Sequence, residues 1–515
     1  MNAGAALLEP ALSKGQKDDP AILWDGGTVT YGDLDAASNR FANACADLGQ
    51  GLGGLGNEDR VLILVQDRPD FFIVYIGLMK AGAVPVALNL RASAKDIAHM
   101  IADSACRLLI VDRLFLDLVD QAGALLGGLP PLLLCDGPQE GHQDLATVMA
   151  GRSDTFDPVP RGPDDMAFWM YTSGTTGMPK GVVHMQRCVT MAGRFLAEEL
   201  NVGRGDRLFC SSKLFFAFSL GHVFMACLRV GATAILLEGW PSCEVIARVL
   251  ERFRPTVLFS VPTFFRNMLH EGVAEAPAMA DLRYVISAGE KLPESLFAAW
   301  RSTTGHEILE VIGATEAAFP FLGNRPGAVR AGSCGRPTPG VEVRLLDDDG
   351  GPIDTPGLPG ILWIRTPALA RGYWNQPDRT DDAFRDGWYR TGDMFMVDAD
   401  GHHHHQGRGD DMLKISGQWV SPAEIEDHVM AVEGLREAVV VGAANADGLI
   451  RLALFAVADP GADPAALEAA ITARCKATLS IYKCPRRILF VDDLPRTATG
   501  KVQRFALRQM AADLA

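Results

Sequence analysis

The chain has 515 residues, of which 48% are hydrophobic and 22% charged, and its formal net charge is −15. This composition is typical of a globular protein with a large core, and the length predicts several domains or one large multi-lobed enzyme. The acidic balance argues against nucleic acid or an anionic membrane as the main partner, because both attract clustered Lys and Arg. A small anionic substrate stays compatible, since single sites can be basic in an acidic protein.

The compartment is predicted from three features of the sequence. No apolar run reaches the roughly 18 residues of a membrane span. The N-terminus lacks the basic and apolar regions of a secretory signal. The ten cysteines are scattered without a C-x-x-C pair, which is typical of reduced thiols. We therefore expect a cytoplasmic protein.

Short apolar runs alternate with longer amphipathic stretches through the first two thirds of the chain, as they do in open α/β sheets. A helix is predicted over 70–80, ending at Ala81 and Gly82. Strands are predicted over 60–65, 84–88, 108–111, 232–237, 256–261 and 283–287. The expected fold class is therefore α/β.

The segment 171–181 is rich in Ser, Thr and Gly around one lysine. Glycines permit backbone conformations in which successive N–H groups converge on an anion, while hydroxyls and an ammonium add donors. Apolar runs on both sides predict a strand–loop–strand hairpin, whereas a Walker A loop runs into a helix. The loop is either a linker or a phosphate site, whose residues would be Thr172, Ser173, Gly174, Thr175, Thr176, Gly177 and Lys180.

Three later segments carry groups suited to a nucleotide. Small residues in 287–293, directly after a predicted strand, let a flat ring approach the backbone. The segment 312–316 places a hydroxyl beside a carboxylate, which suit a phosphate oxygen and Mg²⁺. Asp393 has the acceptors to bind both hydroxyls of a ribose. Taken singly, Glu316 and Asp393 are equally compatible with ordinary turn carboxylates, and Lys501 with a solvated surface lysine.

The pattern changes in the last third of the chain. From Gly340 onward, shorter runs broken by turns predict a small β-barrel or an antiparallel subdomain, and after Gly407 the pattern is α+β. The tract 402–405 consists of four histidines behind a turn at 398–401. Alternation along a hairpin strand places only two of them on each face, so structural hairpin residues are favoured over a metal site.

Together, and in this order, these segments resemble the acyl-adenylate-forming superfamily of acyl-CoA synthetases, peptide-synthetase adenylation domains and beetle luciferases. The resemblance runs from about Tyr31 to Lys501 and includes the segments 80–89 and 421–426. The segments 213–218 and 324–330 look most like those of the benzoate-CoA ligase group.

The resemblance implies a large N-terminal domain over 1–409 and a small mobile α+β C-terminal domain over 410–515. The larger one would consist of two α/β subdomains and a small β-barrel-like subdomain. It also implies two half-reactions, in which a carboxylate attacks the α-phosphate of Mg·ATP with release of pyrophosphate, and the thiol of coenzyme A then displaces AMP. Rotation at the hinge, Asp410, would withdraw Lys501 from the active site between the two steps.

The resemblance also implies roles for single residues. Lys501 would contact the substrate carboxylate and the α-phosphate, Thr315 the α-phosphate, and Glu316 the Mg²⁺. The loop from Thr172 to Lys180 would hold the β- and γ-phosphates. The adenine and ribose would be bound by Ser287, Ala288, Gly289, Glu290, Ile312, Gly313, Asp393 and Arg408. After the rotation, coenzyme A would meet Lys414, Ser416 and Gly417.

The sequence departs from the family at several of these positions. Many relatives stack a Tyr or Phe on the adenine where this chain has Ile312. The acyl pocket is expected at Phe216, Ala217, Phe218 and Phe319, with the last two standing where benzoate ligases usually carry Tyr and His. These phenylalanines either pack the core or line an apolar pocket for an aryl or alicyclic acid with few ring hydroxyls. This segment has no acidic residue to pair with an α-ammonium, which counts against an amino acid.

We therefore expect an ATP-dependent aryl-CoA ligase that acts as a monomer or homodimer on a small carboxylate, ATP and coenzyme A. The alternatives are a stand-alone adenylation enzyme that loads a carrier-protein thiol, a medium-chain acyl-CoA synthetase, and a non-enzymatic acyl or nucleotide sensor. The segment 495–501 resembles the one that protein acetyltransferases modify in bacterial acyl-CoA synthetases. A lysine acetyltransferase acting on Lys501 is thus an expected partner.

Overall fold

The computed structural model describes residues 1–52, 54–173, 178–347, 349–409, 413–415, 418–444, 450–496 and 502–513. The chain divides into two compact units. The first comprises Met1–Val343 and Ile364–Arg390, and the second comprises Arg344–Trp363 and Thr391–Ala515. Among the described residues, every helix is too short or too polar to cross a bilayer.

The helices and strands follow one another along the whole chain. The α-helices are α1 (Ala3–Ser13), α2 (Tyr31–Leu52), α3 (Pro69–Lys80), α4 (Ala94–Ser104), α5 (Leu116–Leu126), α6 (Leu145–Met149), α7 (Ala217–Ser219), α8 (Cys227–Val230), α9 (Cys243–Phe253), α10 (Pro262–His270), α11 (Glu294–Thr304), α12 (Pro377–Ala383), α13 (Pro422–Val429), α14 (Pro464–Thr478) and α15 (Arg504–Asp513). The strands are β1 (Pro20–Trp24), β2 (Gly27–Thr30), β3 (Arg60–Leu64), β4 (Val84–Ala87), β5 (Leu108–Val111), β6 (Leu132–Leu134), β7 (Gln143–Asp144), β8 (Met166–Ser173), β9 (Pro179–Met185), β10 (Arg207–Cys210), β11 (Thr233–Ile235), β12 (Val257–Ser260), β13 (Tyr284–Ser287), β14 (Ile308–Gly313), β15 (Pro320–Gly323), β16 (Arg336–Pro337), β17 (Glu342–Leu346), β18 (Pro359–Arg365), β19 (Gly372–Tyr373), β20 (Phe384–Arg385), β21 (Trp388–Val397), β22 (His403–Arg408), β23 (Leu413–Ile415), β24 (Gln418–Val420), β25 (Leu435–Ala444), β26 (Ile450–Ala458) and β27 (Arg487–Phe490).

Two large sheets organise the first unit. One has the strand order β16-β15-β14-β13-β12-β10-β11-β1-β2, and the other has the order β19-β9-β8-β4-β3-β5-β6-β7. Strands β10 to β14 of the first sheet are parallel, as are β8 and β3 to β7 of the second. Because the carboxyl ends of parallel strands share one edge, this arrangement gathers the residues that follow β12, β13 and β14. The predicted α/β class and the six predicted strands are confirmed.

Tryptophan packing attaches the short strand β19 to the second sheet. The ring of Trp374, just after β19, lies 4.6 Å from that of Trp169 on β8, which is fully buried. The Trp374 backbone N–H donates to the carbonyl of Gly181 on β9 at 2.8 Å, and its indole Nε1 donates to the carbonyl of Asp103 at 2.9 Å. An aromatic pair of one buried and one half-buried ring, with its N–H groups satisfied, gives a rigid support, which holds the neighbouring Tyr373 against β9.

The turn-rich region after Gly340 forms an open sheet and not a closed barrel. Its order is β17-β18-β21-β20, with β22 also pairing with β21. A barrel closes only when its edge strands pair with each other. The chain instead turns back on itself at the end of β17 through a bridge between Leu346 and Pro352. Within the described residues the edge strands stay apart, so of the two predictions the antiparallel subdomain is the correct one.

The rest of the second unit is α+β, as predicted. Strands β23 and β24 pair as an antiparallel hairpin. Strands β25, β26 and β27 form a three-stranded sheet, against which α13 and α15 pack. Two buried clusters lie on it, one around Val440 and Leu454 and the other around Phe455 and Leu507.

Candidate functional site

The carboxyl ends of β12 and β13 place small polar residues side by side. Ser260 ends β12 beside Ser287, which ends β13, and both are fully buried. The hydroxyl of Ser260 is satisfied by that of Ser211 at 2.7 Å. The Oγ of Ser287, in contrast, has no hydrogen-bond partner among the described residues. A buried hydroxyl without a partner is costly in the absence of a ligand, so Ser287 is chemically suited to meet one.

The predicted adenine segment continues directly from Ser287. Gly289 has a φ of +87°, a left-handed conformation that favours glycine. The Oε2 of Glu290 accepts hydrogen bonds from the backbone N–H and the hydroxyl of Thr263, at 3.3 and 2.8 Å. These bonds fix the segment to the beginning of α10, while Ala288 is buried. The backbone between Ser287 and Glu290 is therefore held in a defined shape.

A buried carboxylate lies just beyond the end of β14. The strand ends at Gly313, and Thr315, Glu316 and Ala317 form a 3₁₀ turn. The side chain of Glu316 is buried, and its Oε1 accepts a hydrogen bond from the hydroxyl of Tyr373 at 2.7 Å. The Nζ of Lys180 lies 3.9 Å from the same oxygen and 3.7 Å from the centre of the Tyr373 ring. The structure thus brings together Lys180, Thr315 and Glu316, three of the predicted site residues.

His184 connects β9 to this turn. Its Nε2 donates a hydrogen bond to the carbonyl of Thr315 at 2.8 Å, and its ring stacks on Phe168 with centroids 4.7 Å apart. Burial lowers the pKa of His184 to about 4, so the ring is neutral at pH 7. A neutral ring with one N–H committed to Thr315 fixes the position of that residue relative to the second sheet.

The hairpin predicted around the glycine-rich loop is confirmed. Strands β8 and β9 pair antiparallel, with Thr172 opposite Lys180 and Ser173 opposite Pro179. Lys180 is the second residue of β9, the strand that also carries His184, and both side chains contact the turn of Thr315 and Glu316. The remaining predicted loop residues, Gly174, Thr175, Thr176 and Gly177, lie outside the described residues.

Removing the hydroxyl of Tyr373 tests whether it positions Glu316. We expect Tyr373→Phe to slow acyl-adenylate formation about tenfold, because a charge-assisted hydrogen bond to the carboxylate is lost while the ring that supports Lys180 remains. Pyrophosphate release at several Mg²⁺ concentrations is the measurement, with Tyr389→Phe as the control. An unchanged rate and an unchanged Mg²⁺ requirement would contradict the positioning role.

An apolar pocket begins directly behind Glu316. Its lining comes from five segments of the chain and consists of Met191, Gly193, Arg194, Phe195, Leu196, His222, Ala226, Ala317, Phe319, Pro320, Phe321, Pro339, Val341, Thr366 and Ala368. Phe319, predicted for the acyl pocket, is part of this lining and is also buried in the main core. Phe218 contacts the pocket through the ring of His222, at a centroid distance of 5.2 Å. Phe216 and Ala217 precede it, at the beginning of α7.

Two of the residues predicted to bind the nucleotide, Ile312 and Gly313, lie on β14 itself. Ile312 is half-buried and pairs with Leu322 on β15. A Cβ at Gly313 would approach the carbonyl oxygen of Phe319 to 3.2 Å, closer than most real contacts. The absence of a side chain at Gly313 therefore lets β14 pass close to the backbone of Phe319, which lines the pocket.

The two residues predicted to bind the ribose contact each other in the second unit. Asp393 on β21 lies opposite Arg408 on β22, and its Oδ1 is 3.1 Å from the Nε of Arg408. The same oxygen is 3.4 Å from the Nε2 of His405. The Nη1 of Arg408 donates to the carbonyl of Thr391 at 3.1 Å. The sequence did not indicate His405 as a partner of Asp393, because a register shift between Met394 and Phe395 is needed to place it on the same side.

The histidine tract lies on the predicted hairpin. His403 is buried on β22, and His404 lies 3.0 Å from a carboxylate oxygen of Asp398 in the preceding turn. The pairing of β21 with β22 confirms the hairpin.

The residues predicted for the second half-reaction fall largely outside the described part of the chain. These are the hinge residue Asp410, the coenzyme A residues Ser416 and Gly417, and Lys501. Lys414 is in β23, where it pairs with Trp419. Arg496 and Val502, on either side of the Lys501 segment, form an antiparallel bridge.

Comparison with known proteins agrees with this geometry. The family model of AMP-binding enzymes matches residues 10–374, and that of their C-terminal domain matches residues 424–501. A 3-hydroxybenzoate–CoA ligase of Aromatoleum sp. (strain CIB) is 48% identical over 511 residues, covering 99% of this chain and 97% of the relative. A benzoate–CoA ligase of Thauera aromatica is 40% identical over 511 residues, covering 98% and 95%.

Solved structures extend the agreement to three dimensions. The crystal structure of the anthranilate CoA ligase AuaEII in complex with anthranoyl-AMP superposes with a TM-score of 0.92 at 33% sequence identity, covering 99% of this chain and 97% of that one. The likeness thus includes both compact units. On the strength of the two family models and the full-length relatives, this chain belongs to the family of AMP-binding enzymes, within the acyl-adenylate-forming superfamily.

Proposed function

We propose that this chain is an ATP-dependent aryl-CoA ligase, which converts a benzoate-like carboxylate, ATP and coenzyme A into an aryl-CoA, AMP and pyrophosphate. The observation that carries the proposal is the position of Glu316. This buried carboxylate contacts Tyr373 and Lys180, and the residue that follows it, Ala317, lines the apolar pocket. A carboxylate that can bind a metal ion, the ammonium group of Lys180 and an apolar pocket thus lie close to the carboxyl end of β14.

The relatives support an aromatic acid as the substrate. The two relatives described above, which match nearly the whole chain, are named for 3-hydroxybenzoate and benzoate, and the structural neighbour holds anthranoyl-AMP. The pocket agrees with a ring, because most of its lining is apolar or aromatic. A medium-chain acid is the weaker alternative, since it has no use for the aromatic walls at Phe319 and Phe321.

The chain supplies the groups that the adenylation step requires. Formation of the acyl-adenylate develops charge on phosphate oxygens, which cations and hydrogen-bond donors stabilise. Lys180 and the hydroxyl of Thr315 would hold phosphate oxygens, and Lys501 would contact the substrate carboxylate and the α-phosphate. The carboxylate of Glu316 is the hard oxygen ligand that Mg²⁺ prefers, and Mg²⁺ bound with ATP neutralises phosphate charge.

Nucleotide binding would use the ends of neighbouring strands. Ser287, Ala288, Gly289 and Glu290 would border the adenine, together with Ile312 and Gly313. The support for this assignment is the free hydroxyl of Ser287 and the fixed backbone after it. Asp393 and Arg408 would bind the ribose hydroxyls, and their preformed ion pair keeps both side chains in place.

We also propose that the C-terminal domain, residues 410–515, rotates about Asp410 relative to residues 1–409. The rotation would exchange Lys501 for Lys414, Ser416 and Gly417, which would then border coenzyme A. Acetylation of Lys501 would remove the charge that adenylation requires and so regulate the first half-reaction. We further propose that the enzyme is cytoplasmic, since all ten cysteines are free thiols. We propose that it acts as a monomer or homodimer.

Pyrophosphate release tests the proposed function. The purified chain is incubated with Mg·ATP and a panel of benzoates, aminobenzoates, cyclohexane carboxylates and medium-chain acids, and the product with free coenzyme A is identified by mass. We expect aryl-CoA with benzoates as the best substrates. Pyrophosphate release without thioester formation would favour the carrier-protein alternative, and no release with any acid would exclude an enzyme of this class.

A further inference from the structure

The acyl pocket contains an imidazole that the sequence analysis did not identify. His222 lines the pocket and is only 4% exposed. It lies in a π-helical turn, Leu220–Ala226, between α7 and α8. A second π-helical turn, Phe195–Glu199, contributes Phe195 and Leu196 to the same lining. Turns of this kind are rare and occur frequently at functional sites.

The hydrogen bonding of His222 defines its tautomer. The Nδ1 lies 2.8 Å from the carbonyl oxygen of Phe218, which only accepts, so Nδ1 carries a proton. The ring packs between Phe218 and Phe259, with centroids at 5.2 and 4.9 Å, and burial lowers its pKa to about 4. The imidazole is therefore neutral at pH 7, and its Nε2 is an unprotonated acceptor.

This acceptor has no hydrogen-bond partner among the described residues. Two other polar side chains belong to the lining, and both have partners of their own. The guanidinium of Arg194 donates to Glu198 at 2.7 and 3.2 Å, and the hydroxyl of Thr366 accepts from the backbone N–H of Ala368 at 3.4 Å. A buried acceptor left unsatisfied in an otherwise apolar pocket is costly unless a ligand supplies a donor.

We propose that the Nε2 of His222 determines substrate specificity by accepting a hydrogen bond from a donor on the substrate ring, a hydroxyl or an amino group. The inference rests on the proposed function and deepens it. It changes the expectation of a wholly apolar pocket for acids with few ring hydroxyls, because the pocket that Phe319 lines also contains an acceptor. A substrate ring without a donor would leave the buried Nε2 of His222 without a hydrogen bond. The site should therefore discriminate against such acids in favour of acids that carry a donor.

A series of matched substrates tests the proposal. The values of kcat/KM for 3- and 4-hydroxybenzoate and 3- and 4-aminobenzoate are compared with those for the corresponding fluorobenzoates and benzoate. Fluorine is small and lacks a donor. We expect the better hydroxyl or amino isomer to be preferred over its fluoro counterpart by about 10–100-fold in the wild-type enzyme. In His222→Leu the ratio of kcat/KM between each donor-bearing acid and its fluoro counterpart should fall to about one.

His306→Leu is the matched control. The Nε2 of His306 bonds the carbonyl of Met279 at 2.9 Å, outside the pocket lining, so the wild-type preference should persist. If His222→Leu does not fold, His222→Gln and direct calorimetric binding of hydroxy- and fluorobenzoate to the wild-type enzyme decide the question. Equal affinity for both acids, or a preference that survives removal of His222, overturns the proposal. Turnover of benzoates without any preference leaves the proposed function intact, whereas no turnover of any aryl acid defeats that function itself.

Discussion

Replacing Glu316 with glutamine is expected to slow acyl-adenylate formation by about 10²–10³-fold, the loss typical of one group that stabilises developing charge. Glutamine keeps the size of the side chain and an oxygen that can accept from Tyr373, so the 3₁₀ turn and the buried contact are retained. The negative charge is lost. Glutamine therefore attracts Mg²⁺ less strongly, and it no longer neutralises the charge of Lys180, whose Nζ lies 3.9 Å from the carboxylate. The effect should thus be on catalysis and not on folding.

The measurement separates the two half-reactions. Pyrophosphate release is followed across a Mg²⁺ titration, and thioester formation is followed separately from supplied aryl-adenylate. In Glu316→Gln we expect pyrophosphate release to require more Mg²⁺ and thioester formation to be affected much less. Glu342→Gln is the control, because Glu342 is an exposed carboxylate paired with Arg365 and not with a site residue. An unchanged Mg²⁺ dependence in Glu316→Gln would show that another group holds the metal.

The parts of the site that could be predicted from the sequence are those with a local signal. Apolar runs on both sides of a Ser/Thr/Gly loop predicted the β8–β9 hairpin, and alternation after a turn predicted the hairpin of β21 and β22. The strand end at Ser287 followed from a short apolar run that stops at small residues. Periodicity and turn chemistry depend on neighbouring residues, so these predictions needed no tertiary information.

The partners of the site residues could not be predicted in this way. Tyr373 lies 57 positions from Glu316, and His184 lies 131 positions from Thr315. Nothing in the local pattern marks either residue, because the contact exists only after β9, β14 and β19 have assembled. The closure of a sheet is likewise decided by edge strands that lie far apart in sequence, which is why turn-rich composition left barrel and open sheet as alternatives.

His222 is a case in which a local signal was present. It follows Phe218 by four positions, so a helical reading of 217–230 places both side chains on one face. A predicted pocket wall at Phe218 therefore also implies a wall at position 222, where a histidine stands among apolar residues. The π-helical turn that lets this imidazole bond the carbonyl of Phe218 had no signature in the sequence.

Acidification is expected to destabilise the chain through two buried neutral histidines, His184 and His222. Burial lowers the pKa of both His184 and His222 from 6.5 to about 4. Above pH 6.5 each ring is neutral in the folded and the unfolded chain, and the contribution to stability is constant. Between pH 6.5 and about 4 the unfolded chain binds a proton on each ring that the folded chain does not. The free energy of unfolding therefore falls as the pH falls, by roughly 3 kcal/mol for each histidine.

Urea unfolding at a series of pH values, monitored by tryptophan fluorescence, measures this effect. Many carboxyl groups titrate in the same range, so the informative quantity is the difference between the wild-type chain and a variant that lacks one ring. His222→Leu should lose about 3 kcal/mol less stability than the wild type between pH 6.5 and pH 4, whatever its stability at pH 7. Parallel curves for the wild type and His222→Leu would mean that the imidazole takes up a proton in the folded chain, and its Nε2 would then be a donor.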